Sequence, residues 1–308
     1  MVLKAYLRLV RWPNLLIIGL IFLLAKTQLV DVISEVSGYA SCLTDLQWLL
    51  VSLATIFIAA SGNVVNDIFD QSIDRINKPE KLIVGKLVSE EKAWNLYYGL
   101  GSVGLGLGIL LCWQLGNVSN SLIFMLAAGG LYFYSYSYKR QFLIGNVVVA
   151  LLAGLVPFMP VYLYIMCKPE TWMQLPWNPL LVAFGFFSLL VTLIREIIKD
   201  MEDMKGDQLL RCQTMPIVIG TKFTKVIVVL LIGVLIGAVG KLQHAWWIDG
   251  DKLIPIYFAL AVQLPSLLLI LQVLKSDSTE GFHRASNLTK LIMLGGILSM
   301  FIFRFVWQ

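Results

Sequence analysis

Apolar residues in this chain run in near-continuous stretches of about twenty, each closed by polar, Gly or Pro punctuation. Nine such stretches fall near residues 13 to 29, 46 to 66, 93 to 113, 119 to 137, 142 to 165, 178 to 198, 223 to 242, 254 to 274 and 288 to 307. Runs such as Leu15 to Leu24 and Val226 to Val239 lack the two-residue alternation of barrel strands, so helices are predicted. The first stretch has no small-residue cleavage site and is followed by further spans, which marks it as a retained helix. The expected architecture is all-α: a polytopic membrane protein of nine transmembrane helices, forming one domain over residues 1–308.

Composition agrees, since 58% of the 308 residues are hydrophobic and 14% charged, against about 45 to 50% and about 25% in soluble domains. Lysine and arginine collect in cytoplasmic connections of membrane proteins. Placing the N-terminus in the cytoplasm puts 19 of the 24 basic residues on that side, and an error of one helix would mix the two groups. The net charge of +5 fits a basic surface facing anionic lipid or an anionic substrate, and nothing points to nucleic acid. Cys42, Cys112, Cys167 and Cys212 are scattered, with neither metal-ligand spacing nor a disulfide framework, and read as small packing residues. His244 and His283 fall in predicted connections near opposite faces, leaving little material for a histidine-centred site.

Against this sparse charge, one pattern occurs twice. Asp67, Asp70 and Asp74 are spaced three and then four apart, and Asp200, Asp203 and Asp207 repeat the spacing. Asn63 and Glu196 each stand four residues before the first aspartate, so the second and sixth predicted helices correspond. At 100° per residue each set forms a narrow stripe on its helix. Carboxylates on one stripe repel each other unless cations or donors neutralise them. A solvated acidic helix end explains either motif alone; two matched copies on one predicted face point to a divided metal site. Oxygen ligands without Cys or His suit a hard cation, and magnesium is commonly held by a few carboxylates plus substrate phosphate oxygens. The implied ligand is a phosphate or diphosphate.

Basic residues interleave with these acids. Arg75, Lys78 and Lys81 follow the first set, and Lys199, Lys205 and Arg211 accompany the second. Such side chains serve as interface residues or hold the phosphate oxygens that metal leaves free. The predicted connections 67 to 92 and 199 to 222 are long enough to fold over a site. Helix four ends in Tyr132-Phe-Tyr134-Ser-Tyr136-Ser-Tyr138-Lys139-Arg140 on the same face. An interfacial aromatic belt accounts for these tyrosines. So does a π face that steadies a developing carbocation while Lys139 binds a leaving diphosphate.

With these motifs assembled, the chain resembles the UbiA superfamily of intramembrane prenyltransferases from Arg11-Trp-Pro-Asn14 through the ninth helix. The superfamily's Asn-Asp-x-x-Asp-x-x-x-Asp reads here as Asn66-Asp67-Ile-Phe-Asp70-Gln-Ser-Ile-Asp74, continuing to Pro79. Its second motif is matched by Arg195-Glu-Ile-Ile-Lys-Asp200-Met-Glu-Asp203-Met-Lys-Gly-Asp207, continuing to Thr214-Met-Pro216. One departure is that the superfamily's Tyr and Lys on helix four are commonly four apart, whereas Ser135 stands four before Lys139.

The resemblance implies nine helices around a central cavity and Mg2+ bound between helices two and six. It also implies prenyl transfer from an isoprenyl diphosphate to a lipophilic acceptor in the membrane. It assigns metal binding and catalysis to Asp67, Asp70, Asp74, Asp200, Asp203 and Asp207, with Lys139 and Tyr134 catalytic. Asn63, Asn66, Arg75, Lys81, Tyr136, Arg140 and Lys199 are the expected substrate contacts. Asp74-Arg-Ile-Asn-Lys-Pro79 and the tyrosine-rich segment with Gly145-Asn146 most resemble the geranylgeranylglycerol-phosphate geranylgeranyltransferase branch. An aromatic quinone precursor is the competing acceptor. The expected location is the inner membrane, with the site facing the cytoplasm. An ion-coupled transporter would also carry acids in a helical bundle, although near the midplane. A CDP-alcohol phosphotransferase is set aside because its Asp-Gly-x-x-Ala-Arg core is absent.

Overall fold

A helix closes its backbone hydrogen bonds within one segment, which is why apolar runs of this length fold as helices in hydrocarbon. The computed structural model describes residues 2–77, 79, 80, 82–168, 170 and 172–307, and among these nine helices are long and apolar enough to cross a bilayer. They are α1 (Trp12–Ser37), α2 (Asp45–Phe69), α3 (Glu90–Gln114), α4 (Val118–Tyr136), α5 (Ile144–Cys167), α6 (Asn178–Leu209), α7 (Gly220–Ile248), α8 (Leu253–Lys275) and α9 (Thr279–Phe305). The protein is an integral, multi-pass membrane protein. An amphipathic helix, Val2–Leu9, precedes α1.

Local chemistry sets several boundaries. Gly38 ends α1 in the left-handed region, at φ 73°, where a side chain would be strained. Thr44 opens α2 with a capping box: its hydroxyl accepts from the Gln47 amide at 3.3 Å and the Gln47 side chain accepts from the Thr44 amide at 3.0 Å.

The helices close into a ring. α1 packs on α2, α2 on α4, α4 on α5, α5 on α6, α6 on α9, and α9 returns to α1. α3 packs on α2 and α4, while α7 and α8 pack against α6 and α9. Between α5 and α6 the backbones nearly touch: a Cβ on Gly154 would stand 2.9 Å from the Gly185 carbonyl oxygen. Small residues give this closeness in membranes, where packing and not hydrophobic burial drives helix association. Outward leucines such as Leu16, Leu126, Leu230 and Leu271 are exposed, as a lipid-facing surface requires.

Several stretches depart from the sequence expectation. α1 runs past residue 29 to Ser37 because the Lys26 ammonium is met by Asp31 at 2.8 Å and Asp45 at 2.9 Å. α6 continues through the charged residues to Leu209, so most of the second acidic motif lies on unbroken helix and not in a long connection. Its 32 residues span about 48 Å, well beyond a hydrocarbon core of about 30 Å. α9 begins at Thr279, which places His283 on a helix; His244 likewise lies within α7. The connection after α2 contains a further helix, Gln71–Asn77, and a tight turn in which the Gly85 amide donates to the Val88 carbonyl at 2.8 Å.

Candidate active site

The end of α2 carries the first acidic set. Asp70 closes the helix at φ −88°, ψ 0°, yet the next turn keeps the i to i−4 pattern, with the Asp70 amide on the Asn66 carbonyl at 2.9 Å and the Asp74 amide on the Asp70 carbonyl at 2.8 Å. The predicted stripe therefore survives a local bend. Arg11 enters from the turn between the N-terminal helix and α1, held at φ 54°, and donates to Asp67 at 2.8 Å. Asn63 supports that turn by donating to the Val10 carbonyl at 2.9 Å, so it positions Arg11. Asn66 donates to Asp70 at 2.8 Å and accepts from Lys139 at 3.4 Å.

Lys139 reaches Asp70 directly, its side chain 11% exposed. α4 ends at Tyr136, the chain unwinds at Ser137, and Tyr138–Arg140 form a single tight turn. Because the Tyr134 to Lys139 interval is not continuous helix, five residues bring both side chains to Asp70, with which each interacts. Tyr134 also interacts electrostatically with Glu196, Asp200 and Arg11, which places it between the two acidic sets. Tyr136 lies elsewhere, stacked on Tyr132 with ring centroids 6.1 Å apart and edge-on to Phe69 at 5.6 Å. Burial pulls the Lys139 ammonium below the usual lysine range, and the attraction of Asp70 only partly restores it.

Gly145, at the start of α5, explains how the Lys139 turn sits so close. A Cβ there would stand 2.5 Å from the Lys139 Cα and 2.8 Å from the Tyr138 carbonyl oxygen. The turn is also tied to the segment after α6, since the Gln213 amide donates to the Arg140 carbonyl at 2.8 Å.

The second set lies on α6. Asp200 accepts from the Asn146 amide of α5 at 2.8 Å and interacts with the nearby carboxylates of Glu196 and Asp207. Glu196 is paired locally, with Arg195 at 2.6 Å and Lys199 at 3.2 Å. Asp207 is buried and interacts with Asp203, Asp70 and Lys139, so the two sets meet across the ring.

The donor chemistry fits a hard divalent cation. Among the described residues no three His, Cys, Asp or Glu side chains form a ready-made metal cage. Magnesium does not need one, because it is typically held by one or two carboxylates with waters and substrate phosphates. A shallow apolar groove of about 470 Å³, lined by Leu7, Trp12, Leu15, Leu16 and Ile56, lies on the outer surface between the N-terminal helix, α1 and α2.

Several expected contacts lie to one side. Arg75 is exposed near Gly85, and the Arg140 side chain is exposed. Lys78 and Lys81 fall outside the described residues. Conversely, Arg11, Asn146 and Glu196 join the site although no role was assigned to them from spacing. The signal for Glu196 was present in its place four before Asp200. Arg11 and Asn146 are joined to their aspartates over 56 and 54 residues, which no local pattern reveals.

Comparison with known proteins shows the family and the fold. Residues 14–294 match the model of the UbiA prenyltransferase family. Digeranylgeranylglyceryl phosphate synthase of Saccharolobus solfataricus is 30% identical over 98% of this chain and 97% of that protein. The protein of the same name from Thermococcus kodakarensis is 30% identical over 97% of each chain. A solved structure described as a digeranylgeranylglyceryl phosphate synthase in membranes superposes with a TM-score of 0.64 at 25% identity, covering 97% of this chain and 99% of that one. A UbiA homologue from Archaeoglobus fulgidus, solved with GPP and Mg2+, shares the fold with a TM-score of 0.55 at 14% identity, covering 97% of this chain and 99% of that one. The chain belongs to the UbiA prenyltransferase family and is a membrane prenyltransferase.

Proposed function

We propose that this protein transfers a geranylgeranyl group from its diphosphate to geranylgeranylglyceryl phosphate, on the cytoplasmic face of the inner membrane. End-to-end similarity to digeranylgeranylglyceryl phosphate synthases carries the acceptor. The distribution of basic residues supports the cytoplasmic placement.

Asp67 and Asp70 on α2, with Asp200 and Asp203 on α6, are the carboxylates that would hold Mg2+, with Asp74 and Asp207 supporting them. Bound there, the metal supplies Lewis-acid stabilisation of a diphosphate leaving group. Lys139 and Arg11 donate to the phosphate oxygens left free, exchanging their present carboxylate partners for the more highly charged substrate. Asn146 orients Asp200, and Asn66 orients Asp70. Tyr134 offers its π face to the allylic carbon as positive charge develops there. Transfer breaks the allylic C–O bond and forms a bond to the acceptor hydroxyl, whose proton passes to a nearby carboxylate.

Incubation of the purified protein with Mg2+, labelled geranylgeranyl diphosphate and parallel pools of glycerol phosphate lipid precursor, hydroxybenzoate and naphthoate tests this function. Label is expected only in the glycerol lipid product. Label in an aromatic product would overturn the acceptor, and no diphosphate release with any pool would overturn the proposed reaction.

A further inference from the structure

Cys42 and Cys167 are far apart in sequence, in the loop before α2 and at the last residue of α5. The fold brings the two thiols near enough to interact. The contact is held from both sides. Ser41, next to Cys42, shares a 2.9 Å hydrogen bond with the hydroxyl of the fully buried Tyr164, three residues before Cys167. The Ser41 hydroxyl also donates to the Leu43 carbonyl and accepts from its amide, each at 3.2 Å, fixing the loop around Cys42. Tyr164 is packed against the buried Trp177 at 5.5 Å between ring centroids.

Position and charge add to the geometry. α5 starts beside the acidic site, where Asn146 meets Asp200, and its 24 residues end about 36 Å away at Cys167. The thiol pair is therefore at the opposite end of the bundle from the carboxylates. With the site facing the cytoplasm, the pair faces the side on which disulfides persist. Both thiols are half-buried, and the Lys168 side chain stands near both.

We propose that Cys42 and Cys167 form a reversible disulfide that ties the α1–α2 loop to the end of α5. Two S–H bonds break and one S–S bond forms. The two protons and two electrons pass to a disulfide oxidant, the oxidised form of a protein dithiol carrier or oxidised glutathione, which is released as thiols. Disulfide geometry asks for Cβ atoms about 4 Å apart, and thiols that are neighbours in the fold bring the pair within reach of side-chain rotation. The closed loop is long, the case in which a cross-link most restricts the unfolded chain.

Counting thiols in the full-length protein tests this. Protein from membranes is incubated with oxidised glutathione, blocked with N-ethylmaleimide under denaturing conditions, then reduced and tagged with a maleimide polymer. Two tags per chain are expected, mapped by peptide mass to Cys42 and Cys167, with none in C42S or C167S. The oxidised wild type should unfold several degrees above the reduced form, a difference absent from C42S, while prenyl transfer by C42S stays within twofold of wild type. No tag after oxidation, or two tags in C42S, would overturn the proposal. Such a result leaves the prenyl transfer assignment standing, because the labelled-donor assay reads that separately.

Discussion

Asp67 and Asp70 on α2 each meet a cation carried in from another element, Arg11 and Lys139, whereas Asp200 on α6 meets the neutral amide of Asn146 and faces Glu196 and Asp207. The nearby cations on α6, Arg195 and Lys199, are engaged by Glu196 of the same helix. Identical spacing thus produces two different electrostatic environments. The α2 half is paired with cations over long range, and the α6 half brings carboxylates together, a repulsion that an added cation would relieve. Metal affinity should therefore depend more steeply on α6, and leaving-group binding on the cations that cross to α2.

The largest expected effect is from Asp200→Asn. Transfer should fall roughly 100-fold or more, the scale of losing one strong contact to a developing charge, and a titration with Mg2+ should show a raised requirement. Equal shifts in Asp67→Asn and Asp200→Asn would erase the contrast between the halves. Lys139→Met should lower turnover by about 100-fold without raising the Mg2+ requirement, since it leaves Asp70 more negative. A raised requirement there would mean that Lys139 supports the metal and not the leaving group. Asn146→Ala should raise the Mg2+ requirement by about 10-fold with turnover at saturating Mg2+ largely kept, as expected for a residue that orients a ligand. Gly145→Ala is the mildest change, because the added methyl must displace the Lys139 turn. A stability loss of about 1 to 3 kcal/mol is expected by thermal unfolding, with a smaller loss of turnover than in Lys139→Met.

Much of the fold was legible because the bilayer imposes a length and a composition that few other structures satisfy. The helix boundaries were less so. α6 runs on to Leu209 because Met201, Glu202, Lys205 and Gln208 are good helix formers and no proline intervenes before Pro216, while hydropathy falls at the membrane edge and hides the continuation. At its far end Glu202, on a different face from the aspartate stripe, is held by His283 of α9 at 2.8 Å, another contact outside any local window.

The sequence by itself determined the nine helices, the aspartate stripes and the diphosphate chemistry they imply, because each depends on periodicity within one segment. Tertiary structure alone decided which cation meets which carboxylate, that Tyr134 and not Tyr136 faces the acids, and that Cys42 lies against Cys167. Those outcomes depend on how helices rotate and close into a ring. Contacts across 50 or more residues leave no spacing in the chain, so only packing of the whole bundle selects them.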